Sequence, residues 1–142
     1  MTTCKDVMTL DPIFCLISDT ASHAANLMKD ADIGPILVVE DPESKKLIGI
    51  VTDRDLAIKV VAEGQDSNAV TLRDVMTRDP VRCRVDEDIR SVLERMSSYQ
   101  VRRIPVVDDE NRIVGIISQA DIATEISNPE TVGEVVQEIS EK

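Results

Sequence analysis

The chain has 142 residues, 42% of them hydrophobic and 30% charged, which suits one compact globular domain of ordinary size and not a disordered segment. Sixteen Lys and Arg against 27 Asp and Glu give a formal charge of −11, which argues against generic binding to nucleic acid or an anionic membrane, since both need a positive footprint. The aromatic residues are Phe14 and Tyr99, with no Trp, too few for a base-stacking platform, and no apolar run nears the roughly 18 residues of a membrane span.

The N-terminus, Met1 to Asp6, lacks the basic-then-apolar order of a signal peptide, so a cytoplasmic protein is expected. After a short leading turn, Lys5 to Met8, an Asp-Pro turn precedes an apolar strand over Ile13 to Ile17. Thr20 to Ala31 reads as a helix, with Ala24, Leu27, Met28 and Ala31 on one face. Ile36 to Val39 is a solid apolar run, suited to a strand buried on both faces. An acidic turn leads to a strand over Leu47 to Val51 and a helix over Asp53 to Ala62. The polar stretch from Glu63 to Thr71 reads as a connector.

The order then begins again. Val7-Met8-Thr9-Leu10-Asp11-Pro12 recurs as Val75-Met76-Thr77-Arg78-Asp79-Pro80, at an offset of 68 that also relates Cys15 to Cys83 and Met28 to Met96. Beyond the acidic turn the offset is 66, relating Gly49 to Gly115, Thr52 to Ser118 and Asp55 to Asp121. The first copy thus carries two extra residues in a surface turn. The second copy predicts a helix bearing Ile89, Val92, Leu93 and Met96, strands over Ile104 to Val107 and Ile113 to Ile117, and a helix over Gln119 to Ile126. The expected architecture is α/β, with β-α-β-β-α in each copy, and the expected divisions are 1–68, 69–127 and a C-terminal amphipathic helix over 128–142. That helix is capped by Asn128, has Pro129 in its first turn and carries Val132, Val135, Val136 and Ile139 on one face. It either packs on its own domain or forms a dimer or partner contact.

Cys4, Cys15 and Cys83 are odd in number and form no C-x-x-C, so reduced, buried thiols are expected in place of a disulfide framework. His23, the only histidine, cannot make a His-based zinc site, and no metal site is expected. Arg82 and Arg84 flank Cys83 but alternate to the opposite face of a strand. No Gly-rich phosphate loop, G-x-S-x-G or H-E-x-x-H occurs, so enzyme readings find no support.

The candidate site is the duplicated tetrapeptide, Thr52-Asp53-Arg54-Asp55 and Ser118-Gln119-Ala120-Asp121, each closing a strand and opening a helix. One reading is structural: a Ser or Thr cap with an acid three residues later is a variant of the capping box, worth about 1 kcal/mol. The other is functional. A helix start with a hydroxyl attracts phosphate, and an Asp one turn in can accept from the two neighbouring hydroxyls of a ribose. The tetrapeptides alone leave both open.

The whole pattern resembles a tandem pair of CBS domains, a Bateman module. The carrying residues are Val-Met-Thr-x-Asp-Pro in each copy, Val101-Arg102-Arg103-Ile104-Pro105-Val106-Val107, and Gly-Ile-Val-Thr-Asp-Arg-Asp-Leu against Gly-Ile-Ile-Ser-Gln-Ala-Asp-Ile, covering residues 3 to about 126. The order resembles the small stand-alone type to which hypoxic response protein belongs, with no effector domain attached. The resemblance implies a non-enzymatic stress-response regulator whose copies pack by pseudo-twofold symmetry into a disc-like module, as a homodimer. It implies an adenosine-containing ligand (AMP, ADP, ATP, S-adenosylmethionine or NAD type) in clefts between the copies, regulatory and not a required cofactor, with signalling to an unknown protein partner. Carried over residue by residue, the nucleotide-binding positions would be Thr52, Arg54, Asp55, Gly34, Ile36 and Phe14 from copy one, and Ser118, Asp121, Arg102, Arg103, Ile104, Pro105 and Val81 from copy two.

Departures from the family pattern make the copies unequal. The position equivalent to Pro105 is Leu37, and Arg102-Arg103 correspond to Gly34-Pro35. Nine of the ten Arg lie between Arg73 and Arg112, so the Arg102 side suits a polyphosphate better despite the net charge, because distant carboxylates are screened beyond about 8 Å. Two other readings stand beside the nucleotide sensor: a ligand-free protein-interaction scaffold, and a thiol redox switch through Cys15 or Cys83.

Overall fold

The structure is a computed structural model and describes residues 1–127. The amphipathic helix expected over 128–142 lies outside them. The elements in chain order are α1 (Cys4–Val7), β1 (Thr9–Leu10), β2 (Phe14–Leu16), α2 (Ala21–Ala31), β3 (Ile36–Val39), β4 (Leu47–Val51), α3 (Asp53–Leu56), α4 (Leu72–Val75), β5 (Thr77–Arg78), β6 (Cys83–Arg84), α5 (Ile89–Tyr99), β7 (Arg103–Val107), β8 (Ile113–Ser118) and α6 (Gln119–Ile126). The fold class is α/β with two four-stranded sheets, ordered β2-β3-β4-β5 and β1-β8-β7-β6.

Two compact units result, and they interleave with the sequence copies. One contains Pro12–Pro80 with Glu110–Ile113; the other contains Met1–Asp11, Val81–Asp109 and the described chain from Val114 on. The interleaving comes from the Val-Met-Thr motifs. β1, from the start of copy one, pairs antiparallel with β8 of copy two (Thr9 opposite Ile116, Leu10 opposite Gly115). β5, from the start of copy two, pairs antiparallel with β4 of copy one (Gly49 opposite Arg78, Ile50 opposite Thr77). Glycine at 49 and 115 permits this approach. A Cβ on Gly49 would lie 2.5 Å from Met76 Sδ and 3.0 Å from Thr77 O, and one on Gly115 would lie 2.7 Å from Met8 Sδ and 2.9 Å from Thr9 O. Each glycine therefore belongs with the Met-Thr pair of the opposite copy, which is why both motifs occur twice.

In the Pro12–Pro80 unit, β3 is the inner strand, parallel to β2 and antiparallel to β4. All four of its residues are fully buried, as the solid apolar run requires. α2 contributes Ala21, Ala24 and Met28 to a core with Cys15, Ile36, Val38, Val51, Val60 and Leu72. Leu27 packs against this core, whereas Ala31, expected on the same face, is exposed. Thr20 caps α2 by accepting from the His23 amide at 3.1 Å, and Asp32 ends it in the left-handed conformation at φ 54°.

In the other unit, β6 is parallel to β7 (Cys83 opposite Val106) and α5 buries Ile89, Val92 and Met96. They join Cys4, Cys83, Ile104, Val106, Ile117 and Ile122 in its core. α6 has the expected bounds.

Three expectations change. The first strand is shorter than Ile13 to Ile17, and in copy two it falls on Cys83–Arg84 and leaves Val81 outside. The helix expected over Asp53 to Ala62 is four α-helical residues running into a π-helical turn over Ala57–Val61, closed by the Ala62 amide donating to Ala57 O at 2.9 Å. The wider turn buries Val60 and leaves Ile58 and Val61 exposed, a distinction that apolar periodicity does not make. The leading turns are single-turn helices, α1 and α4, each continued by a two-residue strand.

Candidate functional site

The two tetrapeptides share a backbone and differ in what their acids do. Thr52 is the cap of α3: its Oγ1 accepts from the Asp55 amide at 3.2 Å, while its own amide and hydroxyl donate to Asp55 Oδ2 at 2.9 and 3.1 Å. The other Asp55 oxygen pairs with Lys59 Nζ at 3.3 Å. Asp55 is thus a capping-box acid with both oxygens committed. Ser118 caps α6 in the same way, its Oγ accepting from the Asp121 amide at 3.0 Å. The exposed Asp121 carboxylate, however, makes no hydrogen bond or ion pair among the described residues. One difference in sequence is that the residue four on, Lys59 in copy one, is Glu125 in copy two.

Each helix start is tied to the segment before the neighbouring strand. The Asp53 amide donates to Gly34 O at 3.2 Å, and the Gln119 amide donates to Arg102 O at 2.7 Å. Gly34 faces the Asp53 carboxylate, where a Cβ would meet Oδ1 at 3.3 Å. In copy two the same link places Arg102 and Arg103 beside Ser118. These three line an open groove of about 650 Å³ together with Leu93, Gln119, Ala120 and Ala123, all within one unit. Arg102 and Arg103 are exposed and form no ion pair among the described residues. The groove therefore combines two uncommitted guanidinium groups, a hydroxyl and the positive end of an eight-residue helix. Its size falls within the roughly 300–1,000 Å³ of small-molecule sites.

The remaining expected residues are placed as follows. Ile36 and Ile104 are fully buried core residues, and Pro105 is buried in β7. Phe14 is half-buried, with Lys45 Nζ 5.7 Å from its ring centroid. Val81 is half-buried and packs on the core of its unit. Arg54 is exposed on α3. Gln119 and Ala120 lie in the expected tetrapeptide, whereas sequence reasoning missed Leu93 and Ala123; the spacing of Leu93 shows a core-facing residue, and nothing in it shows an edge open to a groove.

All three cysteines are free thiols in buried positions, as expected. Unexpected is the pairing of Cys4 and Cys83, whose sulfurs are 3.4 Å apart. Backbone bonds from the Cys4 amide to Glu87 O (3.0 Å) and the Lys5 amide to Val85 O (2.9 Å) hold α1 there. The hydrogen bond with Cys4, together with burial, pushes the Cys83 thiol up, and the same bond holds Cys4 below the usual thiol range. The copy-two position equivalent to Cys4 is Leu72, which lies in the same core as Cys15. Burial, assisted by Asp19, pushes the Cys15 thiol up to about 11. Cys15, Asp19 and His23 gather their ligand atoms within 4.8 Å of one another, a mixed cluster that a search for cysteine or histidine pairs does not find.

Among the described residues, no helix is long and apolar enough to cross a membrane. The family model for the CBS domain matches twice, over residues 4–62 and 72–128. YlbB of Bacillus subtilis is 39% identical over 99% of this chain and 93% of that protein. Hypoxic response protein 1 of Mycobacterium tuberculosis is 36% identical over 87% of this chain and 84% of its own. A crystal structure of hypoxic response protein I with two coordinated zinc ions is 34% identical, covers 87% of this chain and 98% of that one, and superposes with a TM-score of 0.79. The CBS pair of protein MJ0100, in complex with 5′-methylthioadenosine and S-adenosyl-L-methionine, is 32% identical over 89% of this chain and 96% of that one, with a TM-score of 0.76. With both copies matched and the two-sheet architecture shared, the chain belongs to the CBS-domain family as a tandem pair.

Proposed function

We propose that this protein is a non-enzymatic regulator that binds an adenosine-containing nucleotide in the groove between β7 and the start of α6. The observation that carries the reading is the meeting of Arg102, Arg103 and Ser118 in one groove, with the uncommitted Asp121 three residues on. Arg102 and Arg103 would hold a phosphate or carboxylate, assisted by the helix start. Asp121 would accept from the ribose hydroxyls. Each such bond to a charged acceptor contributes roughly 1.5–3 kcal/mol, a useful part of the roughly 8 kcal/mol behind micromolar affinity. The adenosyl ligands of the related MJ0100 pair support the ligand class. In copy one the equivalent acid is occupied by its own cap and by Lys59, and Gly34 stands where Arg102 does, which favours one functional site over two.

Thermal-shift screening against AMP, ADP, ATP, S-adenosylmethionine and NAD, followed by calorimetry, tests this. A shift that is lost in Arg102→Ala and Asp121→Asn but kept in Asp55→Asn is expected. No shift with any of them at concentrations far above micromolar would sink the sensor reading and leave a protein-interaction scaffold.

A further inference from the structure

We propose that Cys15, Asp19 and His23 bind one divalent transition-metal ion of the zinc type. The three residues come from consecutive pieces of chain that fold back on one another. Cys15 lies on β2, Asp19 in the turn after it and His23 in the first turn of α2. The Asp19 amide donates to Leu16 O at 3.0 Å, and Asp19 Oδ2 accepts from the Leu16 amide at 2.8 Å. The segment 67–73 clamps the turn: Ala21 donates to Val70 O and Leu72 to Asp19 O, both at 2.9 Å. The ligand positions are therefore held before any ion arrives.

The thiol, a carboxylate oxygen and an imidazole nitrogen all lie within 4.8 Å of one another, with His23 Nε2 3.9 Å from Asp19 Oδ2. A tetrahedral zinc ion, with bonds of about 2.0 Å to N and O and about 2.3 Å to S, sets ligand atoms roughly 3.3–3.6 Å apart. Closing the site takes at most about 1.5 Å, which the exposed His23 side chain can supply. The set is graded from a buried sulfur to an exposed imidazole, so the fourth position faces solvent. The start of α2 opposes a cation, but a thiolate and a carboxylate together neutralise a divalent ion.

The second copy supplies a control. The equivalents of Cys15, Asp19, His23 and Leu27 are Cys83, Glu87, Ser91 and Arg95. There the carboxylate already has a built-in cation: Arg95 Nη2 lies 2.5 Å from Glu87 Oε2, and Arg95 Nη1 donates to Arg82 O at 2.7 Å. The thiol faces Cys4. In the first copy Leu27 replaces the arginine, and His23 is the one basic group within ion-pair distance of Asp19 among the described residues. The scaffold that holds a guanidinium beside a carboxylate in one copy offers, in the other, a nitrogen and a sulfur ligand instead. Binding is a substitution without redox: the Cys15 S–H bond breaks, an S–metal bond forms, and the proton leaves to solvent.

The test is a Co²⁺ titration of the reduced, untagged chain, with Co²⁺ as the spectroscopic stand-in for Zn²⁺. The expected result is a thiolate-to-cobalt charge-transfer band saturating at one ion per chain, with tetrahedral visible bands, displaced by Zn²⁺. Cys15→Ser should abolish the band, and Cys83→Ala should leave it. Because Cys15 is buried and its substitution can disturb the fold, the exposed His23→Ala variant provides a second reading: affinity should fall about tenfold or more. No band in the wild-type chain, a band that survives Cys15→Ser, or an unchanged affinity in His23→Ala overturns the assignment.

Discussion

The unequal use of the two tetrapeptide acids gives a prediction with opposite signs at equivalent positions. Asp55→Ala removes two hydrogen bonds to the Thr52 amide and hydroxyl and the pair with Lys59. Asp55 is only 18% exposed, so the capping bonds should contribute near the upper part of the 0.5–2 kcal/mol range for caps. The half-exposed Lys59 adds only a few tenths. Alanine returns a few tenths through helix propensity. The net loss is about 1–2 kcal/mol, or a Tm lower by roughly 3–8 °C for a domain of this length. Asp121→Ala removes a carboxylate with no partner among the described residues, so only its favourable position at the helix start is lost, about 0.3 kcal/mol. Binding should show the reverse order. Asp121→Ala should weaken nucleotide affinity about tenfold or more, and Asp55→Ala should leave it within a factor of about two. Urea denaturation and calorimetry on the two variants measure all four values. Equal stability losses, or equal affinity losses, would refute the division between a capping acid and a binding acid.

Further outcomes follow from the strand exchange, the thiol pair and the half-buried carboxylates. Gly115→Ala places a methyl 2.9 Å from Thr9 O and should cost about 1–3 kcal/mol in urea denaturation, because backbone must shift to accept it. Oxidation by diamide should join Cys4 to Cys83, giving a crosslinked peptide in a non-reducing digest by mass spectrometry that is absent in Cys83→Ala. The two cysteines are 79 residues apart in the chain, so the bond should raise stability by up to about 4.5 kcal/mol; a crosslink through Cys15 instead would contradict the geometry. The hydrogen bond from Arg90 holds Asp88 below its usual 3.8, and Arg95 holds Glu87 below its usual 4.5 against the opposing effect of burial. Both acids are depressed in the folded state, so their contribution is present above those ordinary values and is lost as pH falls through the folded ones. Arg95→Met should flatten the acid limb of a stability profile, and an unchanged limb would show that Glu87 does not contribute.

Much of the architecture was legible because burial leaves periodic marks. β3 announced itself as an unbroken apolar run and α6 by its cap after a strand, and both lie where the sequence put them. β1 and β5 were invisible. Two residues carry no period, and their pairing partners belong to the opposite sequence copy. The exchange also hid the Cys4–Cys83 contact, since comparison of copies aligns Cys83 with Cys15 and never with Cys4. Of the site, the caps and the Arg102–Arg103 position were readable from motif and offset. The commitment of Asp55 and the availability of Asp121 were not, because they depend on which side chain stands one helical turn further on.

Duplication gives two equivalent places for every side chain, and the departures from equivalence show where one copy has been put to separate use. Where copy one has Gly34, Asp55 and Lys59, an internally satisfied cap results; where copy two has Arg102 and Asp121, a groove lined by an uncommitted guanidinium lies beside an uncommitted acid. The opposite division holds one layer away: copy two closes its carboxylate with Arg95 and its thiol with Cys4, whereas copy one leaves Asp19 and Cys15 beside a histidine. A purely structural history would tend to satisfy both copies alike, since an unpaired acid or guanidinium adds nothing to a fold. These two places, one in each unit and of different chemistry, are therefore where we propose ligands: an anion with hydroxyls at the start of α6, and a cation at the start of α2.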